Sequence, residues 1–149
     1  MTDSQGRVLI IAGSDSGGGA GIQADIKTCS AFGAYAMTAV TAVTAQNTLG
    51  VQAVEFMSPA LVKAQIESCL SDIGADVVKI GMLGTKAIID VVAEAVDELD
   101  AFVILDPVAV ATSGDALLEP DAVEALRDAL LPLADLVTPN VPEAELLTG

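Results

Sequence analysis

The 149-residue sequence predicts an α/β domain on a mostly parallel sheet with helices on both faces, and three observations carry that prediction. Short apolar runs rich in Val, Ile and Leu alternate with longer segments whose apolar residues recur at helical spacing. Hydrophobic residues make up 52% of the chain and aromatic residues only 3%, so the core is built from Ala, Val, Leu and Ile, the residues of strands buried on both sides. The polar constellations each follow a predicted strand: Gly13 to Asp25, Gln46 with Asn47, Gly81 with Met82, Asp106, and Asn140 to Glu143. They therefore gather at one edge of the sheet, where α/β folds place ligands. The length fits one domain over residues 1–149, with no linker or low-complexity segment to divide it.

Val8 to Ile11 forms the first strand and empties into a loop carrying Gly13, Gly17, Gly18, Gly19 and Gly21. Ile22, Ile26, Cys29 and Phe32 then fall at near-helical spacing, which predicts a helix that ends near Gly33 with the glycines at its N-terminus, so the loop offers backbone N–H groups to a ligand. Ala36 to Thr44 is the second strand, and Ala45 to Thr48 with Gly50 is its exit loop, which puts Gln46 at a strand's C-terminal end. Val51 to Phe56 is a short edge strand or flap. Ser58-Pro59 reads as a cap and first-turn proline for a helix carrying Leu61, Val62, Ile66, Leu70 and Ile73. Asp76 to Ile80 is a strand, Gly81 to Gly84 its exit, and Thr85 caps a helix with Ile88, Ile89, Val92 and Val96 inward. Phe102 to Leu105 is a strand closed by Asp106-Pro107, followed by a loop from Val108 to Gly114. Pro120 opens a helix containing Val123, Leu126, Leu130 and Leu131. Leu136 to Thr138 is the last strand, Pro139 to Pro142 its exit, and a further helix starts at Glu143.

Charge and composition exclude whole classes of function. With 21 acidic against 6 basic residues the net charge is −15, which repels nucleic acid and anionic lipid alike, so neither partner is expected. Dense carboxylates and few lysines suit a high-salt cytosol, and a halophilic source is expected. No apolar run approaches the about 20 residues of a membrane span, and no basic-plus-apolar leader precedes the first strand, so a cytoplasmic protein is expected. The chain has no histidine, which removes Ser-His-Asp and Cys-His chemistry from these residues. Cys29 and Cys69 lack CxxC spacing and read as small core residues. Any catalysis rests on carboxylates, lysines, dipoles or a metal.

The glycine loop fits neither phosphate fingerprint: Gly18 is followed by Gly19 where GxxxxGK[ST] requires lysine, and from Gly17 and Gly19 the last GxGxxG position is Ile22. A tight structural turn is its alternative. Asp25, four residues beyond Gly21 on the helix, faces either solvent or the pocket. Gln46 and Asn47 either satisfy turn backbone groups or offer a paired donor and acceptor to a heteroaromatic edge. Asp106 either binds a metal or caps the turn at Pro107. Asn140 and Glu143, three apart at a helix start, either close a capping arrangement or join a magnesium and phosphate shell.

The segments AGSDSGGGAGIQADIKT, TAVTAQNT, KIGML, LDPV, ATSGDALL and TPNVPEAELL, in this order and spacing, resemble the hydroxymethylpyrimidine/phosphomethylpyrimidine kinases of thiamine biosynthesis over the entire chain. The glycine loop with TAQNT separates that family from sugar kinases and most pyridoxal kinases of the same superfamily. The resemblance implies a ribokinase-like three-layer α/β/α fold. It also implies phosphorylation of 4-amino-5-hydroxymethyl-2-methylpyrimidine and then its monophosphate, with ATP and magnesium (Mg2+). By the same resemblance Gly13 and the loop after it line the pyrimidine pocket, Asp25 and Gln46 hydrogen-bond the substrate's polar edge, and Met82 and Val108 pack against its ring. Asp106, Asn140 and Glu143 match the positions that organise magnesium and the ATP phosphates, with Asn140 and Glu143 on the nucleotide and Asp106 and Glu143 on the metal. An aminopyrimidine needs a donor, an acceptor and apolar faces, and phosphoryl transfer needs oxygen ligands for a metal.

Two departures stand out. Ala109 follows Val108 where the family usually has methionine. Family members also continue well beyond Gly149, through a glycine-rich anion hole, the catalytic residue and most of the adenine pocket. The expected fold is therefore truncated at its C-terminal side, with no catalytic residue inside the chain. Alone, the chain is expected to be inactive and to dimerise through an open sheet edge. A pyridoxal-like vitamin kinase and a non-catalytic pyrimidine-binding lobe are the alternatives.

Overall fold

The computed structural model describes residues 5–109 and 118–148. Its elements run β1 (Arg7–Asp15), α1 (Gly21–Ala31), β2 (Tyr35–Asn47), β3 (Gly50–Phe56), α2 (Pro59–Asp72), β4 (Val77–Ile80), α3 (Lys86–Asp97), β5 (Phe102–Leu105), α4 (Pro120–Ala125), β6 (Leu136–Val137) and α5 (Val141–Thr148). α4 continues through a π-helical turn at Leu126–Leu130 and a tighter 3-10 turn at Leu131–Leu133. The caps are those the sequence predicts: the Ser58 hydroxyl accepts from the Leu61 N–H and the Thr85 hydroxyl from the Ile88 N–H.

The six strands lie in the order β3-β2-β1-β4-β5-β6. β3 is antiparallel to β2 and the other neighbouring pairs are parallel. Alternation along the strands divides the core. On one face Leu9 and Ile11 join Val78, Ile80, Val103 and Leu105 beneath α2, α3 and α4. On the other, among the described residues, Ile10 and Ala12 are joined in the buried cluster by Ile22 of α1 alone. The helices reflect this difference: Ile88, Ile89, Val92, Ala93 and Val96 of α3 are all buried, whereas α1 buries Ile22 alone. Ile26 and Phe32, which share the helical spacing of Ile22, are 37% and 87% exposed, and α1 packs mainly on β1 and β2.

Two strands run further than their apolar runs suggest. β1 extends to Asp15 because Ser14 pairs with Val43 and Asp15 with Thr44, so Gly13 lies inside the strand, at a register shift, instead of in the loop. β2 likewise carries Gln46 and Asn47 into a hairpin, opposite Val51 and Gly50, so Gln46 is a strand residue and not part of an exit loop. The Asn47 carboxamide oxygen accepts from the Leu49 N–H at 2.9 Å and thereby serves the hairpin turn. The expected loop from Val108 to Gly114 lies outside the described residues beyond Ala109. Among the described residues, no helix is long and apolar enough to cross a membrane.

Candidate functional site

At the C-terminal edge of the parallel strands a cavity of about 300 Å³ opens between β1, the start of α1, β2 and the exits of β4 and β5. Gly13, Asp25, Gln46, Met82, Asp106 and Val108 all line it, although they come from five separate stretches of chain. Asn140 and Glu143 do not. Thr41, fully buried in β2, donates to the Met82 carbonyl at 2.6 Å and fixes the β4 exit, and Gly13 leaves the room that the Met82 methyl needs. At Gly21 the backbone φ is +56° and a Cβ would strike the Gly13 carbonyl, so the strand-to-helix corner requires glycine.

The loop's backbone donors are not free for a ligand. Asp15, only 6% exposed, accepts from the Gly17 N–H at 2.7 Å through one carboxylate oxygen, and from the Gly19 and Ala20 N–H groups, both at 2.9 Å, through the other. The expectation that a ligand meets these N–H groups is therefore overturned: the chain's own carboxylate occupies the anion-binding position. Gln23 reinforces the corner, accepting from the Asp15 N–H at 2.8 Å and donating to the Ser14 hydroxyl at 2.7 Å. Asp15 carries no signal in a scan for phosphate motifs, yet an acid two residues before Gly17 is a familiar way to fold a glycine turn.

Lys79 is the pocket residue that sequence patterning passed over. It interrupts the apolar run of β4, where Val78 and Ile80 enter the main core and Lys79 points to the α1 face. Its ammonium donates to Asp25 Oδ2 at 2.8 Å and stands 4.0 Å from Asp106 Oδ2. The signal was available, since a lysine inside a strand of buried residues needs an anionic partner. Gln46 accepts from the Thr44 hydroxyl at 3.0 Å, which orients its carboxamide along the pocket wall.

Asp106 titrates above the usual carboxylate range. Burial is the main cause, the charges of Glu143 and Asp25 push the same way, and Lys79 and a hydrogen bond with Thr138 oppose them. Burial and the Asp25 charge also push the Cys29 thiol up. Behind Asp106, Asn140 and Glu143 form a reciprocal capping box at the start of α5: the Asn140 N–H donates to Glu143 Oε2 at 3.0 Å and the Glu143 N–H to Asn140 Oδ1 at 2.9 Å. Glu143 is 6% exposed, and among the described residues its Oε1 makes a long 3.5 Å contact with the Ala109 N–H.

Residues 15–149 match the phosphomethylpyrimidine kinase family. The chain belongs to that family. It is 56% identical over 141 residues to the hydroxymethylpyrimidine/phosphomethylpyrimidine kinase of Rhizobium meliloti (strain 1021), covering 95% of this chain and 53% of that protein. It thus spans about half the length of the curated relatives it matches. Among solved structures, the phosphomethylpyrimidine kinase of Clostridium difficile 630 superposes with a TM-score of 0.91 at 49% identity, over 97% of this chain and 63% of that one. The pyridoxal kinase of Staphylococcus aureus in complex with AMP-PCP and pyridoxal gives 0.85 at 39% identity, over 98% and 52%. The fold is accordingly ribokinase-like, with its sheet between helical layers.

Proposed function

We propose that these residues form the substrate side of an ATP-dependent kinase that phosphorylates 4-amino-5-hydroxymethyl-2-methylpyrimidine and its monophosphate in thiamine biosynthesis. The observation that carries this reading is the pocket itself: an Asp25 carboxylate and a Gln46 carboxamide stand over a cavity floored by Met82 and Val108. A carboxylate accepts from an exocyclic amine and a carboxamide supplies both a donor and an acceptor, while the thioether and valine suit the faces of a small ring. That the glycine loop is filled by Asp15 favours a pocket for a neutral heteroaromatic ring over a phosphate cradle.

Magnesium fits one part of this arrangement. The ion takes one or two carboxylates, waters and substrate phosphates, and Asp106 is the acid at the pocket that would hold it. Glu143, with one oxygen engaged in its own capping box, would supply negative charge behind Asp106 more than direct ligation. The bound ion would neutralise charge on the ATP phosphates. Asn140 would act on the nucleotide side through the α5 start that it caps. Gly13 would keep the pocket wall thin enough for the ring to lie against β1.

Calorimetry on the chain tests the reading. Hydroxymethylpyrimidine is expected to bind, and Asp25→Asn to weaken that binding about tenfold or more, while costing less thermal stability than Asp15→Ala does, because a carboxylate bond to a charged or polar donor is worth about 1.5–3 kcal/mol. A coupled assay with ATP is expected to show no turnover by the 149 residues alone, and turnover would refute that part. The S. aureus neighbour was solved with pyridoxal, which makes a pyridoxal-like vitamin the competing substrate. Tighter binding of pyridoxal than of the pyrimidine would favour it, and pyrimidine binding without turnover in a chain extended to the relatives' full length would favour a binding lobe.

A further inference from the structure

Asp25 is assigned a substrate contact, yet an isolated carboxylate on the first turns of α1 would be free to rotate. The structure gives it one cationic partner. Lys79 and Asp25 are 23% and 22% exposed, and they are joined at 2.8 Å across 54 positions of sequence. Among the described residues, Asp25 makes no other side-chain hydrogen bond, so Oδ2 is taken by Lys79 and Oδ1 is the acceptor left to the pocket. The same ammonium lies 4.0 Å from Asp106, and among the described residues Lys79 is the one cation lining the cavity.

The packing around the ammonium restricts it. Lys79 stands opposite Ile10 in the β1–β4 register, on the face that α1 covers. The carbon that a side chain would add at Gly81 comes within 3.2 Å of Nζ and 3.0 Å of the Ala12 methyl, so glycine at the β4 exit leaves the ammonium its place without a shift of these neighbours. A long flexible side chain held between a helix and a strand exit gives up its freedom before any ligand arrives, which lowers the ordering cost of binding.

We infer that Lys79 is a positioning residue that fixes Asp25 with one oxygen toward the pocket, and that it ties this substrate contact to Asp106 on the phosphoryl side. It acts through Asp25 and touches no reacting atom. The inference rests on the pyrimidine reading given above. Without Lys79, Asp25 and Asp106 would face each other across the cavity with no cation between them, and Asp25 would lose the partner that sets its orientation toward the pocket. A lysine serving only to hold the fold would have no such dependence on Asp25.

The test is a double-mutant cycle on the intact chain, with hydroxymethylpyrimidine as the calorimetric probe and thermal unfolding as the control. Lys79→Met is expected to weaken binding about tenfold or more. Lys79→Gln, which keeps a donor toward Asp25 Oδ2, is expected to recover part of that loss. In the Asp25→Asn background, Lys79→Met is expected to cause little further loss, less than threefold. If Lys79→Met does not fold, Lys79→Gln alone and in the Asp25→Asn background completes the cycle. Wild-type affinity in folded Lys79→Met, or losses that multiply in the double variant, would overturn the role of Lys79 while leaving the pyrimidine reading intact. No binding by the wild-type chain would overturn the pyrimidine reading and this inference with it.

Discussion

Two groups of carboxylates sit at the same sheet edge and do opposite work. At the β1–α1 corner Asp15 is turned inward, and at the α5 start Glu143 closes a box with Asn140; each is 6% exposed and bonded to the backbone that it organises. At the pocket, Asp25 and Asp106 are 22% and 36% exposed and lean on one lysine between them. The difference separates acids that hold the fold from acids that can meet a ligand: Asp15, although it lines the cavity, and Glu143 direct their oxygens at backbone N–H groups, whereas Asp25 and Asp106 pair with a lysine side chain and keep an oxygen toward the cavity. Position after a strand, the feature they share, does not distinguish them.

The comparison is broken most directly at Asp15. Asp15→Ala removes the acceptor from three N–H groups at once, and the expected cost is about 3 kcal/mol of unfolding free energy, since each donor left unpaired away from water costs about 1–3 kcal/mol and the loop relaxes in part. Urea unfolding measures it; a loss as small as that of Asp25→Asn would erase the distinction between the groups. Glu143→Ala is expected to cost less, about 1 kcal/mol, because the opposite half of the capping box, the Asn140 side chain on the Glu143 N–H, survives. Equal losses at Glu143 and Asp15 in the same unfolding series would contradict that ranking.

The smallest effect belongs to an acid outside both groups. Asp76 is exposed at the surface, and its hydrogen bonds with the Arg7 side chain and N–H lower its pKa from 3.8 to about 2. A depressed folded-state pKa stabilises the fold above the unfolded value near 3.8, and this contribution disappears as pH falls through about 2. Carboxyl NMR titration should place the midpoint near 2 in the wild type and return it toward 3.8 in Arg7→Met. An unchanged midpoint in that variant would remove the ion pair as the cause. Solvent screening keeps the effect on stability slight.

Much of the architecture was legible in the chain because its signals are local. Period-two and period-3.6 apolar patterns, the Ser58 and Thr85 caps and the proline at the first turn of α2 act within a few residues, and the structure has elements where they predict them. Strand ends were less legible: β1 and β2 continue through Gly13 to Asp15 and through Gln46 because partner strands extend them, and pairing is not written in either segment alone. Of the site, the sequence named Asp25, Gln46, Met82, Asp106 and Val108, and the fold brings them to one cavity. It missed Lys79 and the inward turn of Asp15.

By itself the sequence determined the β-α alternation, the helix caps and the choice of glycine at the corners. Tertiary structure alone decided the strand order β3-β2-β1-β4-β5-β6, which acid would be enclosed by its own loop and which would share a lysine. The reason is one of range. Hydrogen-bond periodicity and capping are set by neighbours in the chain, whereas the Asp25–Lys79 pair joins a helix to a strand 54 residues away and exists only once α1 has folded over β1 and β4 has paired beside it.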